Sequence, residues 1–530
     1  MGDTQPACSF AMSAPTECFR KNVSATFPML LSDMQAKSKD WISERMYLGI
    51  DVGTSCVKAV IVDDNDVVVD QASSDLSVSR LHPLWSEQNP ADWWAATNGA
   101  VAGLRPDLKA AVKAIGLAGQ MHGATLLGAD MQALRPAILW NDGRSSAQCA
   151  ALETAVPDTA TITGNRAMPG FTAPKLMWVR ENEPEIFAAT RMVLLPKDYV
   201  RLRMTGEAAS DMSDSAGTLW LDVAKRDWSE TMLGATGLDR SHMPKLFEGN
   251  AVTGNLRAEL AEAWGTARVP VAAGGGDNAA GAVGVGVVRS GDAFLSLGTS
   301  GVLFLANDGY RPNPAGGVHT FCHALPDRWH QMSVILSAAS CIDWAARLCG
   351  VTNAAALFAM VEARGKPADT EVFLPYLSGE RTPHNDPNAK GVLFGLTHET
   401  DTAALGQAVL EGVAFAFRDG LDALRDSGAT LDTITVIGGG ARSAYWGKIL
   451  ASALGRPLIY RDGGEVGPAY GAARLARLSL GKDAIEDVCT APPITNVIEP
   501  DERLSDRFTA KRPQFRHLYS ALKSSFQENA

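Results

Sequence analysis

A short pattern of apolar residues around a Gly-Thr-Ser turn occurs twice in this chain of 530 residues. Residues 47–63 read YLGIDVGTSCVKAVIVD, and residues 294–307 read FLSLGTSGVLFLAN. Apolar and β-branched residues on both sides of a glycine-containing turn predict a strand, a tight turn and a second strand. The two turns are roughly 245 residues apart, which is the length of a domain and not of a solenoid repeat. The sequence therefore predicts an internal duplication, with two related domains in one chain.

The remaining sequence alternates between strand-like and helix-like patterns. Residues 269–273 and 433–437 are short apolar runs that stop at glycines, whereas residues 402–426 have apolar residues at helical spacing. Residues 280–288 and 467–478 are rich in small residues, which predicts tightly packed helices. Alternating helices and strands indicate an α/β fold.

The length of the chain exceeds one compact core and fits two domains with terminal segments. We expect the first domain at residues 46–289 and the second at residues 290–480. Residues 481–530 are polar and are expected to form a C-terminal tail or helix. Residues 1–45 lack the apolar core of a signal peptide and are predicted to be a disordered extension. Met46, directly before the first strand, is an alternative start.

Composition excludes several classes of function. The chain is 46% hydrophobic and 20% charged with a net charge of −11, so its overall field does not attract nucleic acid or an anionic membrane. No run of eighteen apolar residues is present that could span a bilayer. Eight cysteines without a C-x-x-C pair indicate reduced thiols. These features predict a cytoplasmic protein.

The two Gly-Thr-Ser turns are candidate phosphate sites. Glycine lets backbone N–H groups approach a phosphate closely, and the hydroxyl groups can donate to its oxygens. Asp51 at the end of the first strand could hold Mg²⁺, and Ser296 replaces it in the second copy. A plain β-hairpin is the alternative, but two copies favour a phosphate clamp. The residues assigned to the phosphates are Gly53, Thr54, Ser55, Lys58, Gly298, Thr299 and Ser300.

Asp277 is the candidate catalytic base. It follows three glycines, so no neighbouring side chain would shield its carboxylate at the end of a strand. A base for phosphoryl transfer must reach a substrate hydroxyl while ATP lies opposite. The alternative is that Asp277 is the N-cap of the following helix. Asn278 stands beside it as a second candidate for substrate contact.

Two further segments follow strand patterns. Gly439, Gly440 and Ala441 open a helix after an apolar run, and adenosine could pack on their flat backbone; a dinucleotide fingerprint fits poorly because Ser443 replaces its third glycine. His122 lies in a Gln-Met-His-Gly segment, although a lone histidine is more often structural.

Tryptophan side chains offer flat surfaces for a sugar, although most buried tryptophans belong to the core. Among the tryptophans of this chain, Trp140 is the one that we expect near a substrate pocket.

Together these residues resemble the FGGY family of carbohydrate kinases, over residues 46–480. Residues 170–182 match the first family signature and residues 391–411 resemble the second, in which Ala404 replaces a polar residue. Within the family the chain is similar to bacterial kinases of D-xylulose. That similarity rests on residues 79–88, 119–127, 136–144, 195–206 and 376–385.

The resemblance implies an actin/Hsp70-like (ribonuclease H-like) fold, with two related domains around a central cleft. It implies that Met121 and His122 contact the sugar and that Asp277 is the base. It places the phosphates of ATP at the two turns, adenosine at residues 439–441 and Mg²⁺ at Asp51. The implied reaction is phosphorylation of D-xylulose at O5.

Other functions fit the same fold. One is a kinase for gluconate, ribulose or glycerol, because cleft residues and not the fold decide the sugar. Another is an actin-like ATP-binding protein without enzymatic activity, which would carry an additional binding domain or polymer surface. The sequence leaves the oligomeric state open, with a homodimer as the candidate assembly.

Overall fold

The structure is a computed structural model, and it describes residues 45–438, 443–462 and 467–528. The predicted N-terminal extension, apart from Arg45, therefore lies outside the described residues. So do Gly439, Gly440 and Ala441, which the sequence assigned to adenosine. Among the described residues, no helix is both long enough and apolar enough to cross a membrane.

Strands and helices alternate along the described chain. The strands are β1 (Met46–Val52), β2 (Cys56–Asp63), β3 (Val68–Asp75), β4 (Glu87–Gln88), β5 (Val112–Gly119), β6 (Thr125–Leu127), β7 (Ala137–Ile138), β8 (Met192–Leu194), β9 (Ala209–Asp211), β10 (Leu221–Asp222), β11 (Asp227–Trp228), β12 (Lys245–Phe247), β13 (Val252–Asn255), β14 (Pro270–Ala272), β15 (Gly275–Gly276), β16 (Asp292–Leu297), β17 (Gly301–Asn307), β18 (His319–Cys322), β19 (Trp329–Ile335), β20 (Val372–Leu374), β21 (Val392–Phe394), β22 (Thr433–Ile437), β23 (Leu458–Arg461) and β24 (Ile494–Ile498). The α-helices are α1 (Pro90–Ala102), α2 (Pro106–Ala110), α3 (Ser146–Ala155), α4 (Thr159–Thr163), α5 (Thr172–Asn182), α6 (Pro184–Ala189), α7 (Pro196–Thr205), α8 (Met212–Ala216), α9 (Glu230–Thr236), α10 (Ala258–Trp264), α11 (Asp277–Val285), α12 (Ala339–Leu348), α13 (Ala354–Arg364), α14 (Thr402–Arg425), α15 (Ala444–Leu454), α16 (Gly467–Ser479), α17 (Ile485–Val488) and α18 (Glu502–Glu528).

Two large sheets share the arrangement of their central strands. The first has the order β13-β14-β5-β1-β2-β3, with β15 also pairing β5, and the second has the order β18-β19-β17-β16-β22-β23-β24. In each sheet a hairpin strand pairs with its partner antiparallel and with the next central strand parallel, as β1 does with β2 and β5, and β16 with β17 and β22. The predicted duplication of the strand–turn–strand unit is confirmed.

Burial explains why the central strands are so apolar. Six of the seven residues of β1 are buried, and the exception is Asp51. Helices cover both faces of a sheet whose central strands are parallel, so such strands read as continuous apolar runs and not as alternating ones. Asp51 is therefore a partly exposed polar residue in a strand whose other residues are buried in the core.

Helices α11 and α16 pack against each other between the two sheets. A Cβ on Gly471 of α16 would lie 1.7 Å from the carbonyl oxygen of Ala280 in α11. Similarly, a Cβ on Gly49 of β1 would lie 1.9 Å from the carbonyl oxygen of Ala469 in α16. The small residues that predicted tight packing thus allow the backbones of α11, α16 and β1 to approach each other closely.

The C-terminal residues extend the second sheet and its core. Strand β24 pairs with β23 at the sheet edge. Helix α18 places Phe508, Phe515 and Tyr519 in the apolar core that also contains β16, β17 and α14.

Candidate active site

Backbone hydrogen bonds close the turns after β1 and β16, which differ in length: Val52 pairs with Val57 across the first turn, and Leu297 pairs with Gly301 across the second. The N–H of Gly53 donates to the carbonyl of Cys56, and the N–H of Gly298 donates to that of Ser300, each at 3.1 Å. The carbonyl of Thr299 also accepts the N–H of Ala338, at 3.0 Å, so the second turn is fixed against the start of α12. Among the described residues, no hydrogen bond joins the two turns to each other.

The first turn is fixed by two buried glutamines. The hydroxyl of Thr54 donates to Gln120 Oε1 at 2.9 Å, and Gln88 Nε2 donates to the carbonyl of Thr54 at 2.8 Å. Gln120 Nε2 in turn donates to Gln88 Oε1 at 2.9 Å. A hydroxyl has a single proton, so the Thr54 hydroxyl is committed within the protein. The hydroxyl therefore does not point to a phosphate as expected from the sequence, and the backbone N–H groups of this turn are left for that role.

Asp51 and Lys58 lie opposite each other on β1 and β2. Burial, followed by the charge of Asp277, raises the pKa of Asp51 to about 7, and Lys58 opposes this shift. The Oδ1 atom of Asp51 is buried and has no hydrogen-bond partner among the described residues. A buried carboxylate oxygen without a donor fits a site for a hard cation such as Mg²⁺.

Asp277 is the first residue of α11, and the N-cap is Gly276. The alternative that Asp277 caps this helix is therefore wrong. Its Oδ1 accepts hydrogen bonds from the N–H of Asn278 at 2.7 Å and from Asn278 Nδ2 at 2.9 Å. Burial raises the pKa of Asp277 to about 6, although both of these bonds oppose the shift. At pH 7 most of this carboxylate is ionised and able to accept a proton.

The glycines before Asp277 have a structural reason beyond leaving the acid unshielded. Gly274 has a φ of +78°, and a Cβ there would lie 1.8 Å from the carbonyl oxygen of Leu117 in β5. A Cβ on Gly276 would lie 2.9 Å from Met121 Cγ. Glycine thus lets this segment lie against β5, and it brings Met121 beside the residue that precedes Asp277.

His122 is a half-buried histidine with a neutral ring. Its Nδ1 lies 2.6 Å from the carbonyl oxygen of Gly217. Burial, followed by the charge of Lys175, lowers the pKa of His122 to about 3. A carbonyl only accepts, so Nδ1 carries the proton and Nε2 remains as an acceptor.

Helix α5 holds the backbone of His122, which has a φ of +69°. Its carbonyl accepts hydrogen bonds from Lys175 Nζ at 2.9 Å and from the Thr172 hydroxyl at 3.2 Å. Positive φ is unfavourable for a residue other than glycine and persists only where its surroundings hold it. Lys175 and Thr172 provide this restraint.

Trp140, a candidate for sugar binding, is hydrogen-bonded to the first turn. Its side chain is 48% exposed, and its Nε1 donates to the Thr54 hydroxyl oxygen at 3.1 Å. An indole fixed at one end and exposed on its face is suited to stack on a sugar ring.

Two residues of this site were not predicted from the sequence. Gln88 and Lys175 received no role, although Lys175 is part of the first family signature. A signal for Lys175 was its charge within an otherwise apolar helix segment, since a fully buried lysine requires specific acceptors. Gln88 has no comparable signal, because its partner Thr54 is 34 residues away.

No group of three or more His, Cys, Asp or Glu side chains is arranged as a metal site in the described part of the chain. Mg²⁺ in kinases commonly uses one or two carboxylates together with phosphate oxygens and water. Asp51 and Asp277 are compatible with that arrangement, since their charges interact across β5.

Both halves of the chain match domains of one known protein family. Residues 46–284 match the N-terminal domain of the FGGY family of carbohydrate kinases, and residues 293–480 match its C-terminal domain. The chain is 56% identical to the xylulose kinase of Escherichia coli (strain K12), over 90% of this chain and 99% of that protein. It is 36% identical to the xylulose kinase of Bacillus subtilis (strain 168), over 91% of this chain and 99% of that protein.

Solved structures give the same result for the fold. The "xyloylose kinase" of Brucella ovis superposes with a TM-score of 0.88 at 51% identity, over 90% of this chain and 99% of that one. The xylulose kinase of Rhodospirillum rubrum superposes with a TM-score of 0.83 at 29% identity, over 91% and 100%. These matches confirm the predicted fold class, two related α/β domains of the actin/Hsp70-like kind.

Proposed function

The chain belongs to the FGGY family of carbohydrate kinases, and on this basis we propose that it transfers the γ-phosphate of ATP to O5 of D-xylulose. The observation that carries the proposal is the position of Asp277. A half-buried carboxylate begins α11, next to Met121 and within electrostatic range of Asp51. This arrangement provides one proton acceptor beside a candidate sugar site and one candidate cation ligand.

His122 and Trp140 would bind the sugar. The unprotonated Nε2 of His122 would accept a hydrogen bond from a sugar hydroxyl, and burial keeps the ring neutral over the working pH range. The exposed face of Trp140 would stack on the carbon skeleton of the sugar. Met121, packed against Gly276, would supply an apolar contact close to the base.

Asp277 would act as the general base. Both hydrogen bonds from Asn278 go to Oδ1, so Oδ2 would accept the proton of the attacking hydroxyl. The sugar oxygen forms a bond to the γ-phosphorus as the bond from that phosphorus to the β-phosphate oxygen breaks, and ADP leaves. Asn278 would thus orient the base as well as line the sugar site.

The nucleotide would lie against the two Gly-Thr-Ser turns. Backbone N–H groups of residues 53–55 and 298–300, together with Lys58, would contact the phosphates, and residues 439–441 would contact adenosine. Asp51 would hold Mg²⁺, which when bound offsets phosphate charge. The buried, unpartnered Oδ1 of Asp51 supports this placement.

The larger organisation follows from the same proposal. Residues 46–289 would form the domain that binds the sugar and residues 290–480 the domain that binds ATP. A homodimer in the cytoplasm, with no nucleic acid or membrane partner, would be the working form. Light scattering after size-exclusion chromatography tests the oligomeric state.

A coupled assay of ADP release tests the function. The purified protein is given ATP, Mg²⁺ and, in turn, D-xylulose, D-ribulose, L-ribulose, gluconate and glycerol. We expect the highest kcat/KM for D-xylulose, and ³¹P and ¹³C NMR should place the phosphate on C5. Preference for another sugar would overturn the substrate. Absence of turnover with every sugar, in a folded protein that binds ATP, would favour a non-enzymatic ATP-binding protein.

A further inference from the structure

A cluster of five charged side chains is buried beside the segment that leads to Asp277. Lys197 Nζ lies 2.6 Å from Asp198, 2.7 Å from Asp211 and 3.0 Å from Asp214. Arg201 Nη1 lies 2.7 Å from Asp198. All five side chains are fully buried, and they come from α7, β9 and α8.

Two hydrogen bonds lead from this cluster to the glycine segment. Arg201 Nη2 donates to the carbonyl of Ala273, directly before Gly274. At the other end, the N–H of Gly276 donates to Ser213 Oγ at 3.1 Å. Ser213 Oγ in turn donates to Asp211 Oδ2 at 2.5 Å. The three glycines are therefore held at both ends from one buried cluster.

The charges of the cluster balance if one carboxylate is protonated. Burial acts to lower the pKa of Lys197, but the three carboxylates outweigh it and raise that pKa. Burial raises the pKa of Asp214 well above its ordinary value, despite Lys197. With Asp214 protonated, the two cations face two carboxylates, Asp198 and Asp211. Asp211 Oδ2 accepts the hydrogen bond of the Ser213 hydroxyl.

Stability alone is a weak reason for such a cluster. Desolvation of buried ion pairs offsets most of their attraction, and well-packed apolar residues often stabilise a protein as well or better. A run of three glycines, in contrast, has exceptional conformational freedom and needs outside contacts to fix it. A displacement of about 1 Å at a catalytic group can reduce turnover by about 10²-fold.

We propose that Ser213, oriented by Asp211 and Lys197, is the positioning residue for the catalytic base of this enzyme. It holds the amide of Gly276 and so sets the start of α11, from which Asp277 projects. Ser213 itself touches neither substrate, because its hydroxyl is used by Asp211 and Gly276. The inference rests on the proposed function, since it assumes that Asp277 is the base.

Ser213→Ala tests the proposal, with Ser215→Ala as its matched control. Both serines lie in α8, and both are fully buried. Ser215 Oγ donates to Ser210 Oγ at 2.8 Å and does not contact the glycine segment. We expect Ser213→Ala to lower kcat about tenfold, because it removes the acceptor of the Gly276 N–H. Loss of a hydrogen bond in a network that includes a charged group usually has an effect of this size. The KM values for sugar and ATP and the Kd for ATP should change less than twofold, and Ser215→Ala should keep the kcat of the wild type.

The conservative variant Ser213→Cys separates positioning from loss of packing. Its thiol is moderately larger than the hydroxyl and can still accept the Gly276 N–H weakly, so its kcat should lie between those of wild type and Ser213→Ala. Equal kcat for Ser213→Ala and Ser215→Ala, at similar thermal stability, would overturn the inference. So would a Ser213→Cys variant that folds with the kcat of Ser213→Ala. Turnover of D-xylulose by the wild type tests the proposed function separately, so the two failures are distinguishable.

Discussion

The carboxylates of Asp51 and Asp277 lie on either side of β5, and the charge of Asp277 raises the pKa of Asp51. In register, Asp51 pairs with Ala118 of β5, and Gly275 pairs with the same residue from the other side. Two half-buried acids at one end of a sheet repel each other when both are ionised. Such an arrangement is costly for folding and is suited to a site that receives positive charge from a cation and a proton from a substrate.

Asp51→Asn should make the protein inactive and more stable. The folded pKa of Asp51 is raised from 3.8 to about 7, so the ionised form is disfavoured in the folded state. The resulting loss of stability in the wild type therefore begins as pH rises above 3.8 and is complete above about 7. Each pKa unit corresponds to about 1.4 kcal/mol, so a shift of about three units should give the variant up to about 4 kcal/mol more free energy of unfolding at pH 8 and almost none at pH 3.5.

Urea unfolding without nucleotide or divalent cation measures this difference at both pH values. An Asp51→Asn variant that is less stable than the wild type at pH 8 would show that the carboxylate is compensated within the protein. The Asp51→Asn variant should have no kinase activity at either pH, because the neutral amide cannot replace a carboxylate as a ligand of the cation.

Asp277→Asn should lower kcat by about 10²–10⁴-fold, the usual scale for a general base. The amide keeps the size of the side chain and cannot accept the proton of the sugar hydroxyl. ATP binding, measured by calorimetry, should remain. Asp158→Asn is a suitable control, because this exposed residue makes no capping hydrogen bond and lies in the α3–α4 connection. Near-normal turnover of Asp277→Asn would exclude this residue as the base.

The pH profile of kcat/KM should fall on the acid side. Asp277 has a pKa of about 6 and Asp51 of about 7 in the free enzyme, and both must be ionised for the proposed roles. Protonation as pH drops through 7 to 6 therefore removes activity. Higher Mg²⁺ concentration should move the acid limb to lower pH, because the cation competes with the proton at Asp51. An acid limb below pH 5 that is independent of Mg²⁺ would contradict both assignments.

Gln120→Leu should weaken the binding of ATP more than the binding of the sugar. The side chain joins Thr54 and Gln88, and its loss leaves buried polar groups unpaired at a cost of about 1–3 kcal/mol each. We expect a lower melting temperature and a Kd for ATP that rises about tenfold, while sugar affinity changes little. Gln132→Leu, at an exposed position, is the control. Unchanged ATP affinity would mean that the glutamine pair does not set the turn.

Local patterns in the sequence were sufficient for the hairpins and for the acid after the glycines. Residues 47–63 and 294–307 form strand pairs because apolar residues on both sides of a short turn leave few alternatives. Asp277 was identifiable because three glycines before an acid are rare in a plain connection. The predicted fold class followed from the repetition of the hairpin and from the family signatures.

Contacts between residues that are far apart in the sequence could not be predicted from local patterns. Nothing near Lys197 in the sequence indicates that it is fully buried among three carboxylates, because two of them come from β9 and α8. The reason for Gly274 likewise depends on its approach to Leu117, more than 150 residues earlier. Such contacts form when the strands assemble into a sheet, and the residues next to each partner in the sequence do not indicate them.

Lys175→Met should weaken sugar binding, because Lys175 Nζ holds the carbonyls of His122 and Gly170, at 2.9 and 2.8 Å. Methionine fills the space and donates nothing, so His122 can relax from its positive φ and move its Nε2 away from the sugar. We expect the KM for D-xylulose to rise about 10–100-fold, with a smaller fall in kcat and an unchanged KM for ATP. Lys113→Met, at an exposed position of β5, controls for loss of charge. An equal loss for both substrates would instead indicate general destabilisation, and it would remove the proposed link from α5 to the sugar.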